Sequence, residues 1–115
     1  MTGVQTCALP IFTDYITQQR ALSPQTVASY RDTFVLMLRF AHEHHGKAPT
    51  DFQLTDLSAK FLLGFLDHLE QKRHNSVRSR NVRLAAVRSF LKFAAGRDPF
   101  APFVKHTLRR FLEKS

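Results

Sequence analysis

Apolar residues recur at helical spacing along most of the chain. The clearest stripe follows Ser23-Pro24, a capping serine and a proline suited to the first helical position. After it, apolar residues are separated by alternating steps of three and four, as on one face of a helix. They are Val27, Tyr30, Phe34, Met37 and Ala41. Gly46 can adopt the left-handed cap, so the pattern predicts a helix from Pro24 to about His45.

The same periodicity predicts further helices over residues 12–20, from 55 or 58 to about 71–74, from 75–76 to about 95, and over 102–113. Thr55 or Ser58 would cap the third, and Gly96 with Pro99 would end the fourth. No segment alternates with period two over strand length. The expected fold class is therefore all-α, a compact bundle of four to five helices joined by short loops.

The composition agrees with one small domain that has a real core. Hydrophobic residues make up 43% of the 115 positions, and eleven Phe compensate for the absence of Trp. Cys7 is the sole cysteine, which excludes an internal disulfide. The residues expected in the core are Tyr30, Phe34, Met37, Phe65, Leu69, Leu84, Val87 and Leu91.

Residues 1–11, MTGVQTCALPI, differ from the rest of the chain. They lack the basic start and the long apolar run of a signal peptide. They resemble translated read-through of a sequencing-library adapter, and an ordinary disordered tail is the alternative. In either case we expect the segment to lie outside the fold and to be dispensable.

Charge is distributed very unevenly. Residues 1–71 contain five basic and seven acidic residues, whereas residues 72–115 contain twelve basic residues and only two acidic ones, Asp98 and Glu113. A basic excess confined to one part of a chain indicates a polyanionic partner, with nucleic acid first and an anionic membrane surface second.

The predicted fourth helix concentrates this charge on one face. At 100° per residue, Leu84, Val87 and Leu91 share one side. The opposite side carries what we call the basic stripe, again at steps of three and four: Arg78, Asn81, Ala85, Arg88 and Lys92. A surface helix of this kind usually includes acids for ion pairing, but none occurs between Glu70 and Asp98. A plain solvated face is the weaker interpretation.

The basic stripe has the chemistry of a helix that enters the DNA major groove. Arginine can make two hydrogen bonds to guanine, and asparagine can make two to adenine. Cations at the rim pair with phosphates, and a small residue such as Ala85 allows close approach.

Three segments together resemble the tyrosine recombinase, or phage integrase, family. Ser23–Tyr30 is similar to the S-P-x-T-x-x-x-Y opening of that family's second helix, and Phe65–Glu70 is similar to its third. Asn75–Leu91 contains the typical R-L-A-A-x-R-S-F core of the fourth. The resemblance covers residues 12–100 and implies the N-terminal core-binding, SAM-like domain.

The resemblance implies that the second and fourth helices clamp a recombination half-site. On the second helix this points to Gln25, Thr26, Ser29 and Arg31, whereas Tyr30 fits core packing better. On the fourth it points to Arg78, Arg80, Asn81, Arg83, Arg88 and Lys92. The implied partners are double-stranded DNA and other recombinase protomers, in the bacterial cytoplasm and associated with the nucleoid.

The family's catalytic residues belong to a further domain, for which residues 101–115 would form a helix or linker. Tyr15 and Tyr30 lie too early to be the nucleophile. We therefore expect no catalytic residue, no cofactor and no enzymatic activity in this chain, with strand cleavage a property of the presumed parent.

Other functions have weaker support. A helical protein-interaction module is the main alternative, with residues 104–112 as its docking surface, and an anionic-membrane binder is a distant third. His42 and His45 have a spacing that could hold a metal, but the segment is not H-E-x-x-H and no distant Cys or Asp is specially placed. We therefore expect no metal site.

Overall fold

The first four helices predicted from the sequence are present in the computed structural model. The structure describes residues 7–19, 21–73, 77–96, 105–107 and 109–110. The principal helices there are α1 (Ala8–Thr17), α2 (Pro24–His45), α3 (Ala59–Arg73) and α4 (Val77–Ala95). Two 3₁₀ turns, Pro49–Asp51 and Leu54–Asp56, lie in the α2–α3 connection. Within the described ranges there is no strand, only an isolated bridge between Cys7 and Gln53, so the all-α prediction is confirmed.

The signals at the ends of α2 act as predicted. Ser23 Oγ accepts a hydrogen bond from the backbone N–H of Thr26 at 3.1 Å, with Pro24 in the first turn. At the other end Gly46 has φ 66°, the left-handed conformation that ends a helix. Of the two caps considered for α3, Ser58 is the one used, since its Oγ accepts from the N–H of Phe61 at 3.0 Å.

Helix α1 begins earlier than the sequence suggested. It starts at Ala8 rather than Phe12, and Ala8 is fully buried. The Ala8 N–H donates to the carbonyl of Phe52 at 2.7 Å, which fixes the start of α1 against the α2–α3 connection. Residues 8–11 therefore belong to the packed structure instead of lying outside it, while residues 1–6 lie outside the described ranges.

The predicted core is largely confirmed. Six of its eight residues are buried, while Tyr30 and Leu84 are half-buried and pack against its edge. At its centre the ring of Phe12 stacks on that of Phe34 with centroids 4.7 Å apart, and Phe12 lies 4.6 Å from Phe90. These contacts join α1, α2 and α4 around one aromatic cluster.

One buried polar contact ties α1 to α4. The hydroxyl of Tyr15 donates to Ser89 Oγ at 2.5 Å. Burial raises the pKa of Tyr15 above its usual 10.0, although the Ser89 hydrogen bond acts in the opposite direction. The contact adds a polar link between α1 and α4 to the aromatic packing of Phe12 against Phe90.

Most of the predicted fifth helix lies outside the described residues. Helical backbone is present at 105–107 and 109–110, with Thr107 buried. The apolar residues of the docking surface that the protein-interaction alternative would use lie outside the described residues: Val104, Leu108, Phe111 and Leu112. No described helix is both long and apolar enough to cross a lipid bilayer.

Candidate nucleic-acid interface

Helix α4 turns the basic stripe towards solvent. Its inner side is buried through Val87, Phe90 and Leu91, which pack in the core. On the outer side Arg78, Asn81, Ala85 and Lys92 are exposed, and Arg88 is half-buried. The division of α4 into an apolar and a basic side therefore corresponds to the division between core and surface.

The start of α2 lies beside the first half of α4. Gln25 is exposed there, and Thr26 and Ser29 are half-buried. The first turn of α2 contains no acidic residue, so the partial positive charge of the helix N-terminus is not offset by a nearby carboxylate. This end of α2 thus favours an anionic ligand, as helix N-termini that bind phosphate do.

An open groove of about 660 Å³ runs between these two helix segments. Its lining combines amide, hydroxyl and guanidinium groups with apolar surface from Tyr30, Val82 and Ala85, so it offers both polar and apolar contacts to a ligand. The lining residues are Gln25, Thr26, Ser29 and Tyr30 from α2 with Arg78, Asn81, Val82 and Ala85 from α4. Six of these were predicted or singled out from the sequence, on two helices separated by the whole of α3.

Tyr30 and Val82 are the groove residues that sequence reasoning missed. Tyr30 was assigned to core packing, and it does pack against the core, but its half-buried side chain also lines the groove. Val82 lies between the apolar and basic sides of α4. A residue between the buried and the exposed side of a helix can contact both the core and the groove, but helical periodicity alone assigns it to only one of them.

Arg83 is placed differently from the other predicted cations. Its Nη1 lies 3.2 Å from Asp32 Oδ2 and 3.2 Å from Thr33 Oγ1, and its side chain is only 16% exposed. The guanidinium therefore fastens α4 to the middle of α2. We therefore expect Arg83 to stabilise the packing of α2 against α4 more than it contacts DNA.

Two further predicted cations lie away from the open groove. Arg80 pairs with Glu70 of α3, with Nε 3.1 Å from Oε1, so an acid partly neutralises it. Arg31 is exposed but lines a separate apolar groove between α1 and α2, together with Phe12, Phe34 and Val35. The predicted residues that remain on the same side as the groove are those of the basic stripe and of the first turns of α2.

The histidines at the end of α2 are arranged differently from the sequence-based pairing. His42 and His45 were the pair considered, but the structure brings His44 together with His68 of α3, with ring centroids 4.7 Å apart. This cluster lies at the opposite end of α2 from the groove.

The fold and groove define a helical domain with a basic outer helix. Over residues 10–98 the chain matches the family described as "Phage integrase, N-terminal SAM-like domain". It is 43% identical over 88 residues to y4rC, and 44% identical over 84 residues to y4rD, two candidate integrase/recombinases of Sinorhizobium fredii. No solved structure matches the chain.

The chain belongs to the phage integrase N-terminal SAM-like domain family. The aligned parts are 76% and 73% of this chain but only 26% and 30% of y4rC and y4rD. What is present is thus the N-terminal SAM-like domain of an integrase-family protein.

Proposed function

We propose that this domain binds duplex DNA through the α2–α4 groove and the basic stripe, as the core-binding half of a site-specific recombinase. The observation that carries the proposal is that two distant segments, both implicated by the sequence, line one open groove. A solvated face formed by chance on α4 would not require the start of α2 to lie beside it.

The proposed contacts divide into two kinds. Arg88 and Lys92, further along the stripe, would neutralise phosphates, and the partial positive charge at the N-terminus of α2 would favour a phosphate beside it. Arg78, Asn81 and Gln25 lie at the groove, where their side chains can reach base edges. Phosphate contacts set affinity and register, and base contacts set sequence preference.

We further propose that this domain positions DNA and does not cleave it. Its groove is lined by amides, hydroxyls and an arginine, and Tyr30 at its edge lacks a neighbouring general acid or base among the lining residues. The two S. fredii relatives are named for integration and recombination, and the chain spans less than a third of each. Strand cleavage is accordingly assigned to a parent protein, as are contacts with other protomers on DNA.

Substitution of Ala85 by glutamate tests the proposed surface. Ala85 is exposed and lines the groove, so a carboxylate there should repel phosphates and abolish binding while the helical fold persists. Fluorescence anisotropy with a labelled duplex measures binding, and far-UV dichroism measures folding. Thr13→Glu is the matched control, since it makes the same charge change at an exposed position of α1. Unchanged binding by Ala85→Glu would refute the proposed surface.

Sequence preference is tested separately from affinity. Asn81→Ala and Arg78→Ala should each cost roughly 1–3 kcal/mol on the cognate half-site and much less on random DNA, if they contact base edges as proposed. The cognate site can be selected from a random duplex library with the wild-type domain. Equal losses on cognate and random DNA would show that both side chains contact phosphate only.

A further inference from the structure

Three potential metal ligands converge at the end of the bundle remote from the groove. Glu43 and His44 lie in the last turn of α2, and His68 lies on α3. One potential ligand atom of each residue lies within 4.8 Å of those of the other two. Glu43 and His44 are exposed and His68 is half-buried, so the cluster is open to solvent on one side.

The core holds the backbone beneath this cluster in place. The ring of Phe40 lies 4.8 Å from that of His44 and 5.1 Å from that of His68, measured between centroids. Phe40 is itself buried against Phe61 and Phe65. Because α2 and α3 are already packed together here, a bound ion would order the three side chains at little further cost in backbone entropy.

We propose that Glu43, His44 and His68 form a zinc site that cross-links α2 to α3. Two imidazole nitrogens and one carboxylate oxygen are a ligand set that zinc accepts, at about 2.0–2.2 Å, with water completing the tetrahedron. Magnesium and calcium prefer ligand sets made of oxygen alone, so the two histidines favour a transition metal. The ion would join two helices that contribute separate ligands, and the water in the fourth position would leave the coordination open on the solvent side.

This site is independent of the proposed DNA surface. His44 follows Thr26 by about 27 Å along α2, at a rise of 1.5 Å per residue. Zinc bound there should stabilise the fold without touching the groove. The zinc site and the DNA surface can therefore be tested independently, and the failure of one proposal would not refute the other.

Isothermal titration calorimetry and thermal melting of tag-free protein, with zinc chloride as the ligand, test the proposal. We expect one zinc per chain, a rise in Tm of several degrees at saturation, and reversal by EDTA, because an ion that binds only the native state stabilises it. His68→Gln should weaken zinc binding at least roughly ten-fold, since even the loss of an outer-shell partner costs 10–100-fold. His42→Gln, at an exposed histidine on the same helix outside the cluster, is the matched control and should bind as the wild type does.

Any of three results would overturn the site. One is a wild-type Tm that zinc does not change. Another is His68→Gln binding zinc as tightly as the wild type, which would show that the α2 histidines alone hold the ion. If His68→Gln does not fold without metal, as judged by far-UV dichroism, His44→Gln and Glu43→Gln at exposed positions provide the same comparison. Retention of wild-type affinity in both would equally refute the proposal.

Discussion

At the scale of single residues, similar cations on α4 have different surroundings. Arg83 contacts Asp32 and Thr33 and is largely buried, whereas Lys92 is exposed on the outer face. The sequence shows that both basic residues lie on one helix. It does not show which of them forms an ion pair with an acidic residue of another helix. That partner depends on how α2 and α4 pack, which helical periodicity does not determine.

Arg83→Ala should therefore reduce stability and leave the salt dependence of DNA binding unchanged. The loss should be about 1 kcal/mol, since Asp32 is well exposed and solvent screens the pair. Urea denaturation measures the stability, and anisotropy at several salt concentrations measures DNA binding.

Lys92→Ala should have the reverse effect. Stability should be unchanged, while the slope of log affinity against log salt should flatten by about one unit, because one phosphate contact is lost. Arg39→Ala removes the same charge from an exposed position of α2 outside the groove, and should leave the slope as it is. Equal flattening in both variants would indicate a general charge effect rather than a defined surface.

Tyr15 provides a spectroscopic test of the contact between α1 and α4. Because its pKa is raised in the folded state, unfolded chains lose the proton first as pH rises, and stability should fall above about pH 10. In Tyr30→Phe, Tyr15 is the one tyrosine left, so absorbance at the phenolate band follows it alone. Its midpoint should lie higher in the native protein than in denaturant, and coincident midpoints would contradict the buried contact.

At the scale of helices, local signals predicted most of the architecture. Ser23-Pro24 and Gly46 determine the ends of α2 through interactions within a few residues, so the sequence is sufficient to locate them. The start of α1 depends instead on the Ala8 contact with Phe52, a partner remote in the chain. Without a local signal at that position, the boundary could not be predicted.

Gly46→Ala should destabilise the domain by about 1 kcal/mol. A Cβ at this position meets no atom within 4 Å, so the cost arises from the positive φ alone. Gly46→Asn should cost less, because asparagine tolerates the left-handed conformation better. Thermal melting of both variants measures the difference, and equal losses would indicate that packing and not backbone conformation is responsible.

At the scale of the whole molecule, the basic excess of residues 72–115 lies partly on a helix whose inner side completes the core. The sequence predicted both sides of α4, and it predicted the first turns of α2 through the family resemblance. It could not predict that these surfaces would form one groove, since that depends on how α2 and α4 pack together. It also could not predict the approach of His44 to His68, for the same reason.

Deleting residues 1–11 tests how the start of the chain contributes to the whole fold. The deletion removes buried Ala8 and half-buried Ile11, which packs against the core, so Tm should fall by several degrees. This replaces the expectation from sequence that the segment is dispensable. An unchanged Tm would restore that expectation.

The aromatic cluster of Phe12, Phe34 and Phe90 joins three helices, so it can form only after the ribosome has synthesised α4. Phe90 lies in α4, so a nascent chain that has emerged only through α3 exposes the rings of Phe12 and Phe34 with no α4 to cover them. Translation at about 5–20 residues per second leaves that apolar face uncovered for roughly one to several seconds while α4 is made. We expect the ribosome-bound intermediate to be a substrate for chaperones during this interval, and we expect protease resistance only after α4 has left the exit tunnel.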